Sequence, residues 1–271
     1  MSVATLQHPL RSARRLILGV SLSLLLAGCG SDDQGTPPPP GPVVISGAGA
    51  DSSALAAWVN DYRALLGQDN GGDPGTRGRS GYRELSWDGV PAEFSAPNGY
   101  PADFFNAPLP PRARGIVLET PGTGLMVSAA VENASGVLPR FGNINAAYAE
   151  TFKTFSAEKL FSPVGSNLVN VSFFVPGTSL PATVRGFGAV YTDVDTRHTA
   201  FEYFDREGRS LGRFETPISD HGLSFLGVAF EEAVVARVAV RYGTSSLGPG
   251  DGPGTDVAVM DNFIFGEPQG E

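Results

Sequence analysis

The chain has 271 residues and a formal net charge of −9, from 19 Lys and Arg against 28 Asp and Glu. This acidic balance argues against nucleic acid as a partner and against electrostatic docking on anionic lipid. The 35 Gly and 22 Pro favour many short strands joined by tight turns over a helical bundle. A single cysteine excludes a disulfide within the chain.

The first 28 residues have the pattern of a secretory signal peptide. Three arginines between residues 11 and 15 precede an apolar stretch over residues 16–26, which is too short to span a bilayer. The stretch ends in Leu26-Ala27-Gly28-Cys29, where small residues precede a cysteine whose thiol can accept a diacylglyceryl group. We therefore predict a lipoprotein signal over residues 1–28 and lipidation at Cys29. The export route, Sec or Tat, stays open.

The segment after the cysteine is predicted to be a tether. Residues 29–50 include a polar, proline-rich run that cannot build a core, so we expect this stretch to be disordered. In diderm bacteria, an aspartate directly after the lipidated cysteine is a retention signal that keeps a lipoprotein from the outer membrane. This chain has Gly30 at that position and in this respect resembles outer-membrane lipoproteins. We therefore expect a lipid-anchored location in the cell envelope, at the outer membrane, on its periplasmic or surface face. The membrane is the expected partner, together with a glycan or an envelope protein.

One amphipathic helix is predicted over residues 51–68. Asp51 or Ser52 can cap it, apolar side chains recur at helical spacing, and Gly67 ends the run. The aromatic residues of this helix, Trp58 and Tyr62, belong to the apolar stripe and are expected to pack on the rest of the domain. A glycine-rich loop follows over residues 69–81.

The pattern changes over residues 82–268 to short apolar or alternating runs separated by Gly, Pro, Asn and Asp. Ten strands without intervening helices favour an antiparallel sandwich over a parallel sheet. We therefore predict a mainly β chain, an antiparallel β-sandwich with one N-terminal helix packed on it. Strand spacing leaves jelly-roll and immunoglobulin-like topologies open. The predicted strands lie at 82–87, 115–120, 124–132, 169–175, 182–192, 198–205, 210–216, 223–230, 233–242 and 256–265.

Acidic residues near strand ends suggest a cation site. Asp193 and Asp195 lie one residue apart on a strand and point the same way, while Asp256 and Asp261 lie around the last strand. Calcium prefers such oxygen ligands. We therefore predict a structural calcium ion held by some of these four aspartates, with ordinary solvated strand ends as the alternative.

Other candidate sites are weaker. Trp87 and Asp88 end the first predicted strand of the sandwich and offer a stacking face beside an acceptor, so they form a candidate ligand edge. A β-turn explains the same two residues. After cleavage the chain keeps only His198 and His221, so no catalytic residue is predicted.

Five segments carry a resemblance to a family of uncharacterised bacterial secreted proteins. They begin at Arg83, Thr120, Phe161, Arg185 and Val259, and read RELSWDGV, TPGTG, FSPVGSN, RGFGAVYTDVD and VMDNF. The resemblance covers roughly residues 51–268, and its C-terminal half is similar to jelly-roll, galactose-binding-like domains, some of which carry PEP-CTERM sorting tails. It implies a jelly-roll-like sandwich over residues 82–268 but no activity. This chain departs from those proteins in having an N-terminal lipid.

We expect a membrane-anchored extracytoplasmic lipoprotein with a non-catalytic binding domain, whose ligand is a glycan or another surface component. A glycoside hydrolase or lyase is one alternative, and a structural envelope protein is another. An aromatic groove would favour binding, and a cleft with convergent carboxylates or histidine would favour catalysis. A featureless polar surface would favour the structural role.

Overall fold

The computed structural model describes residues 41–252 and 254–271. The predicted signal peptide and the lipidation site Cys29 lie outside these residues. In the described part of the chain, no helix combines the length and the apolar character needed to cross a membrane.

Two antiparallel β-sheets form a sandwich, which confirms the predicted fold class. The described residues form twelve strands, one long and one short α-helix, and two 3₁₀ helices at Trp87–Gly89 and Ala92–Phe94. The strands are β1 (Val43–Gly49), β2 (Tyr82–Leu85), β3 (Ile116–Glu119), β4 (Gly124–Val127), β5 (Phe161–Val164), β6 (Leu168–Phe173), β7 (Gly186–Val194), β8 (Ala200–Phe204), β9 (Ser210–Glu215), β10 (Ser219–Ala229), β11 (Arg237–Arg241) and β12 (Val259–Gly266). The helices are α1 (Ser52–Leu66) and α2 (Tyr148–Thr151).

The larger sheet has the strand order β1-β10-β7-β12-β5-β4, and β2 also pairs with β12. The smaller sheet has the order β3-β6-β11-β8-β9. Successive segments of the chain often change sheet, so that β10, β11 and β12 belong alternately to the larger and the smaller one. The central strands β7 and β12 lie in the middle of the larger sheet and are buried along their whole length.

Helix α1 packs on the larger sheet, as the sequence predicts. The side chain of Asp51 caps the helix by accepting a hydrogen bond from Ala54 N at 2.9 Å. The apolar stripe of the helix packs against side chains from β7, β10 and β12. Both faces of β7 are therefore covered, which explains why residues 186–191 form an apolar run and do not alternate with polar residues.

Tyr62 fixes the position of α1 on the sheet. Its hydroxyl donates to the carbonyl of Val228 at 3.0 Å, and its ring lies over glycines of β7 and β10. A Cβ at Gly227 would lie 2.6 Å from the ring, and one at Gly188 would lie 2.9 Å away. These glycines allow the helix to approach the sheet backbone closely.

Two strands differ from the predictions. The predicted tether over residues 29–50 is too long, because Val43–Gly49 forms β1 and pairs with seven residues of β10. Strand β5 was missed because Pro163 interrupts its short apolar run, and proline lacks the N–H that a strand ladder uses. Both strands depend on partners that lie far away in sequence.

Candidate metal centre

An irregularity between β7 and β10 creates the candidate site. The register of the two strands shifts between Ser219 and Leu223. Asp193 and His221 both have positive φ angles, of 62° and 52°, and the backbone N–H of His221 donates to Asp193 Oδ1 at 2.8 Å. Bulges of this kind redirect side chains that a regular ladder would separate.

Asp193, Asp220 and His221 each present a ligand atom, and the three atoms lie within 4.8 Å of one another. The side chain of Asp193 is buried, while those of Asp220 and His221 are exposed. A carboxylate oxygen of Asp220 contacts Nδ1 of His221. These three residues, which we call the bulge cluster, could hold one cation between them.

Three more aspartates, Asp195, Asp251 and Asp256, add negative charge to this end of the sandwich. Burial, and then the neighbouring carboxylates Asp195 and Asp251, raise the pKa of Asp193 to about 7. Burial together with the charges of Asp256, Asp220 and Asp251 raises the pKa of Asp195 to about 6. The same causes, burial first, raise the pKa of Asp251. Clustered carboxylates either take up protons or attract a cation.

Asp256 is the most buried of these acids, with 1% of its surface exposed. Its Oδ2 accepts hydrogen bonds from the backbone N–H and the hydroxyl of Thr196, at 3.0 and 2.6 Å. Its Oδ1 is buried and has no hydrogen-bond partner among the described residues. An unpaired buried carboxylate oxygen is costly, and a nearby cation offsets that cost.

Asp261 does not belong to this site, so its prediction as a calcium ligand is wrong. Its carboxylate accepts hydrogen bonds from the backbone N–H groups of Phe155 and Ser156, at 2.6 and 3.2 Å, and from the Ser156 hydroxyl at 2.7 Å. Burial raises its pKa to about 6. Of the predicted ligands, Asp193 alone is in the bulge cluster, while Asp195 and Asp256 contribute through their charge.

The predicted ligand edge at Trp87 and Asp88 is also wrong. Trp87 is completely buried, stacks on Phe161 with ring centroids 4.4 Å apart, and donates from Nε1 to the Asp261 carbonyl at 2.7 Å. Asp88 accepts backbone hydrogen bonds from Glu158 and Lys159, at 2.8 and 2.9 Å. Burial alone would raise the pKa of Asp88, but its hydrogen bonds lower it below the usual value. Both residues therefore stabilise the fold.

Sequence reasoning missed Asp220, His221 and Asp251 as members of the site. Asp220 and His221 are adjacent at the start of an apolar strand, and an acid beside a histidine in that position is itself a signal. Asp251 gave no signal, because it lies in a loop between β11 and β12. Its proximity to the other acids depends on the tertiary fold.

No family model matches the chain, and no curated protein matches it. Among solved structures, the chain is similar to the enzymatically active domain of tailspike protein 4 of bacteriophage CBA120. The identity is 13%, the TM-score is 0.29, and the alignment covers 61% of this chain. It spans 20% of the tailspike chain, and a similarity this low says nothing about function.

Proposed function

We propose that this chain is a lipid-anchored protein of the cell envelope, and that its sandwich is a non-catalytic module that binds calcium at the bulge cluster. The observation that carries the cation site is the convergence of Asp193, Asp220 and His221 within 4.8 Å. The carboxylate of Asp256, whose Oδ1 has no partner among the described residues, lies near Asp195 and Asp251 and adds negative charge to this end of the sandwich. The lipid anchor rests on the sequence around Cys29.

Calcium fits this end of the sandwich because oxygen donors outnumber nitrogen donors. Asp193, Asp220, Asp195 and Asp251 offer carboxylates, which are preferred by calcium, and His221 is the one imidazole in the bulge cluster. The His221 nitrogen of the bulge cluster is a ligand type that suits zinc. The choice of metal is therefore part of the test.

The described Phe, Tyr and Trp side chains are buried or at most partly exposed. A glycan ligand stays a prediction from the sequence. The binding role that we propose rests on the cation.

One observation favours the enzyme alternative, a glycoside hydrolase or lyase. A carboxyl group with a pKa of about 7, at Asp193, lies near other carboxyl groups and a histidine, which is a pattern found in acid–base catalysts. A calcium ion would lower the pKa of Asp193, whereas a general acid needs it raised. The cation site therefore predicts that added calcium lowers the pKa of Asp193, and the enzyme alternative predicts that it leaves this pKa unchanged.

Calorimetric titration of calcium and zinc into the chain from Gly30 onward, after treatment with EDTA, tests the cation site. We expect calcium to bind at one site and zinc more weakly. Asp193→Asn and Asp220→Asn should each weaken calcium binding at least tenfold, since each removes one charged ligand. Asp103→Asn, at an exposed aspartate outside the site, is the matched control.

Three results would contradict this proposal. They are the absence of a calcium signal, tighter binding of zinc than of calcium, and an equal loss of affinity in Asp103→Asn. Hydrolysis of a polysaccharide that is lost in Asp193→Asn but unaffected by EDTA would favour the enzyme alternative instead.

A further inference from the structure

A cavity of about 520 Å³ lies between residues 92–98 and residues 129–135. It shares no residue with the bulge cluster. Small side chains make up much of its wall, including those of Ala96, Ala129 and Ala130. A space of this size is within the range of small-molecule sites.

Lys159 is the one basic residue that lines this cavity. It is 6% exposed, and its Nζ donates to the Val90 carbonyl at 2.6 Å and to Ser95 Oγ at 3.4 Å. An ammonium group has three N–H donors, so these two acceptors leave one donor unused. Burial lowers the pKa of Lys159 below its usual value.

No described carboxylate forms an ion pair with Lys159. Buried charges in proteins are normally paired, because an unpaired one is costly to remove from water. Lys159 is therefore a buried cation that borders an empty space and has no carboxylate bonded to it, since Glu158 and Asp88 act on it only from a distance. A ligand with a negative charge would supply what is missing.

The other polar groups of the cavity have less to offer a ligand. The amide nitrogen of Asn133 donates to the carbonyls of Ala130 and Val137, and its oxygen accepts from Val137 N and the Ser135 hydroxyl. Glu93 and Glu132 line the cavity but are exposed, so water and salt screen their charges. Lys159 is therefore the group best placed to determine which ligand binds.

We propose that this cavity binds a small aliphatic carboxylate, whose carboxylate group pairs with Lys159 Nζ and whose short chain packs on the alanine wall. The ammonium supplies a charge-assisted hydrogen bond to the ligand's carboxylate. The ligand's aliphatic chain buries its apolar surface against the alanine side chains, which have no polar groups that would lose their partners. This site does not depend on the proposed cation site, and either can fail alone.

The chain has two lysines, Lys153 and Lys159, which makes a direct test practical. The chain from Gly30 onward is treated with a limiting amine-acylating reagent, with and without hexanoate, and the modification of each lysine is followed by mass spectrometry. A carboxylate beside Nζ raises the pKa of Lys159, and a rise of about one unit lowers the fraction of reactive free amine about tenfold. Lys153 is the internal control.

We expect hexanoate to slow the acylation of Lys159 about tenfold and to leave that of Lys153 unchanged. Hexanamide, which has nearly the same shape but no charge, should protect Lys159 much less. Ala130→Leu should abolish the protection, because the larger side chain fills the cavity that the half-buried Ala130 lines. The two hydrogen bonds of the Lys159 ammonium go to Val90 and Ser95 and do not involve Ala130. The melting temperature of Ala130→Leu verifies that this variant is folded.

Several outcomes would overturn the proposal. Equal protection of both lysines would show a non-specific effect, and equal protection by hexanamide would remove the need for a carboxylate. Protection that persists in a folded Ala130→Leu protein would place the ligand outside the cavity. An unchanged acylation rate of Lys159 at the highest hexanoate concentration would exclude the site.

Discussion

Arg83 and Glu267 form a buried ion pair that joins β2 to the segment after β12. Arg83 donates from Nε to Glu267 Oε2 at 2.8 Å and from Nη2 to Oε1 at 2.9 Å, and both side chains are completely buried. Arg83 also donates to the carbonyls of Asp73 and Gly75, each at 2.8 Å, and Glu267 accepts from Arg77 N at 2.7 Å. The buried ion pair is therefore one of the contacts that hold the glycine-rich loop over residues 69–81 in place.

Glu267→Gln should destabilise the protein by about 3–5 kcal/mol, because it leaves the charge of Arg83 buried without its partner. Urea unfolding measures the change, and proteolysis within residues 69–81 should become faster. Asp73→Asn is the control, since the ion pair of Asp73 with Arg77 is half exposed and should contribute less than about 1 kcal/mol. Equal effects of the two substitutions would contradict this role of the buried pair.

Tyr62 and Trp58 lie on the same helix but should differ in their contribution to stability. Tyr62→Ala should cost about 3–5 kcal/mol, because the ring is completely buried against β7 and β10. Tyr62→Phe removes only the hydrogen bond to Val228 and should cost about 1 kcal/mol. Trp58 is half-buried, so Trp58→Ala should cost less than Tyr62→Ala in chemical denaturation. The reverse order would show that α1 docks differently.

The stability of the cation-free protein should fall as the pH rises. Asp193 has a pKa of about 7 in the folded protein, above the ordinary value of 3.8, so the folded state binds this proton more tightly than the unfolded chain does. The resulting stabilisation is present at low pH and is lost as the pH rises through about 7. His221 also has a raised pKa, through its contact with Asp220, and contributes with the same sign.

Melting curves in EDTA between about pH 5 and 8 measure this dependence. A loss on the order of 1 kcal/mol corresponds to about 2–4 °C for a protein of this size. Asp193→Asn should reduce the fall most clearly between about pH 6 and 8, because Asp195 and Asp261, with pKa values of about 6, are then already ionised. Saturating calcium should also reduce the fall, and a flat profile for the wild-type protein would contradict the prediction.

Cys29→Ala should abolish lipidation and release the protein from the membrane. Fractionation after a high-salt wash distinguishes a lipid anchor from weak electrostatic attachment, and metabolic labelling with a fatty acid detects the lipid directly. Ser31→Ala, at a neighbouring residue outside the acylation signal, is the matched control. A Cys29→Ala protein that stays in the membrane fraction would overturn the lipoprotein prediction.

The sequence by itself determined the class of the fold and the position of its main helix. Apolar periodicity and the cap at Asp51 predicted α1, because these signals are local to the segment that forms the element. Short apolar runs between turn residues likewise predicted most of the strands of the sandwich. Strand β1 escaped prediction because its structure depends on pairing with β10, more than 170 residues away along the chain.

Only the tertiary structure decided which polar residues meet. Four aspartates near strand ends looked equivalent in the sequence, yet Asp261 caps the backbone of the 155–156 segment while Asp193 faces His221 across a bulge. Trp87 and Asp88 looked like a ligand edge, yet one fills the core and the other binds backbone amides. A side chain's role follows from its neighbours in space, and these are fixed by strand register and bulges that local periodicity does not encode.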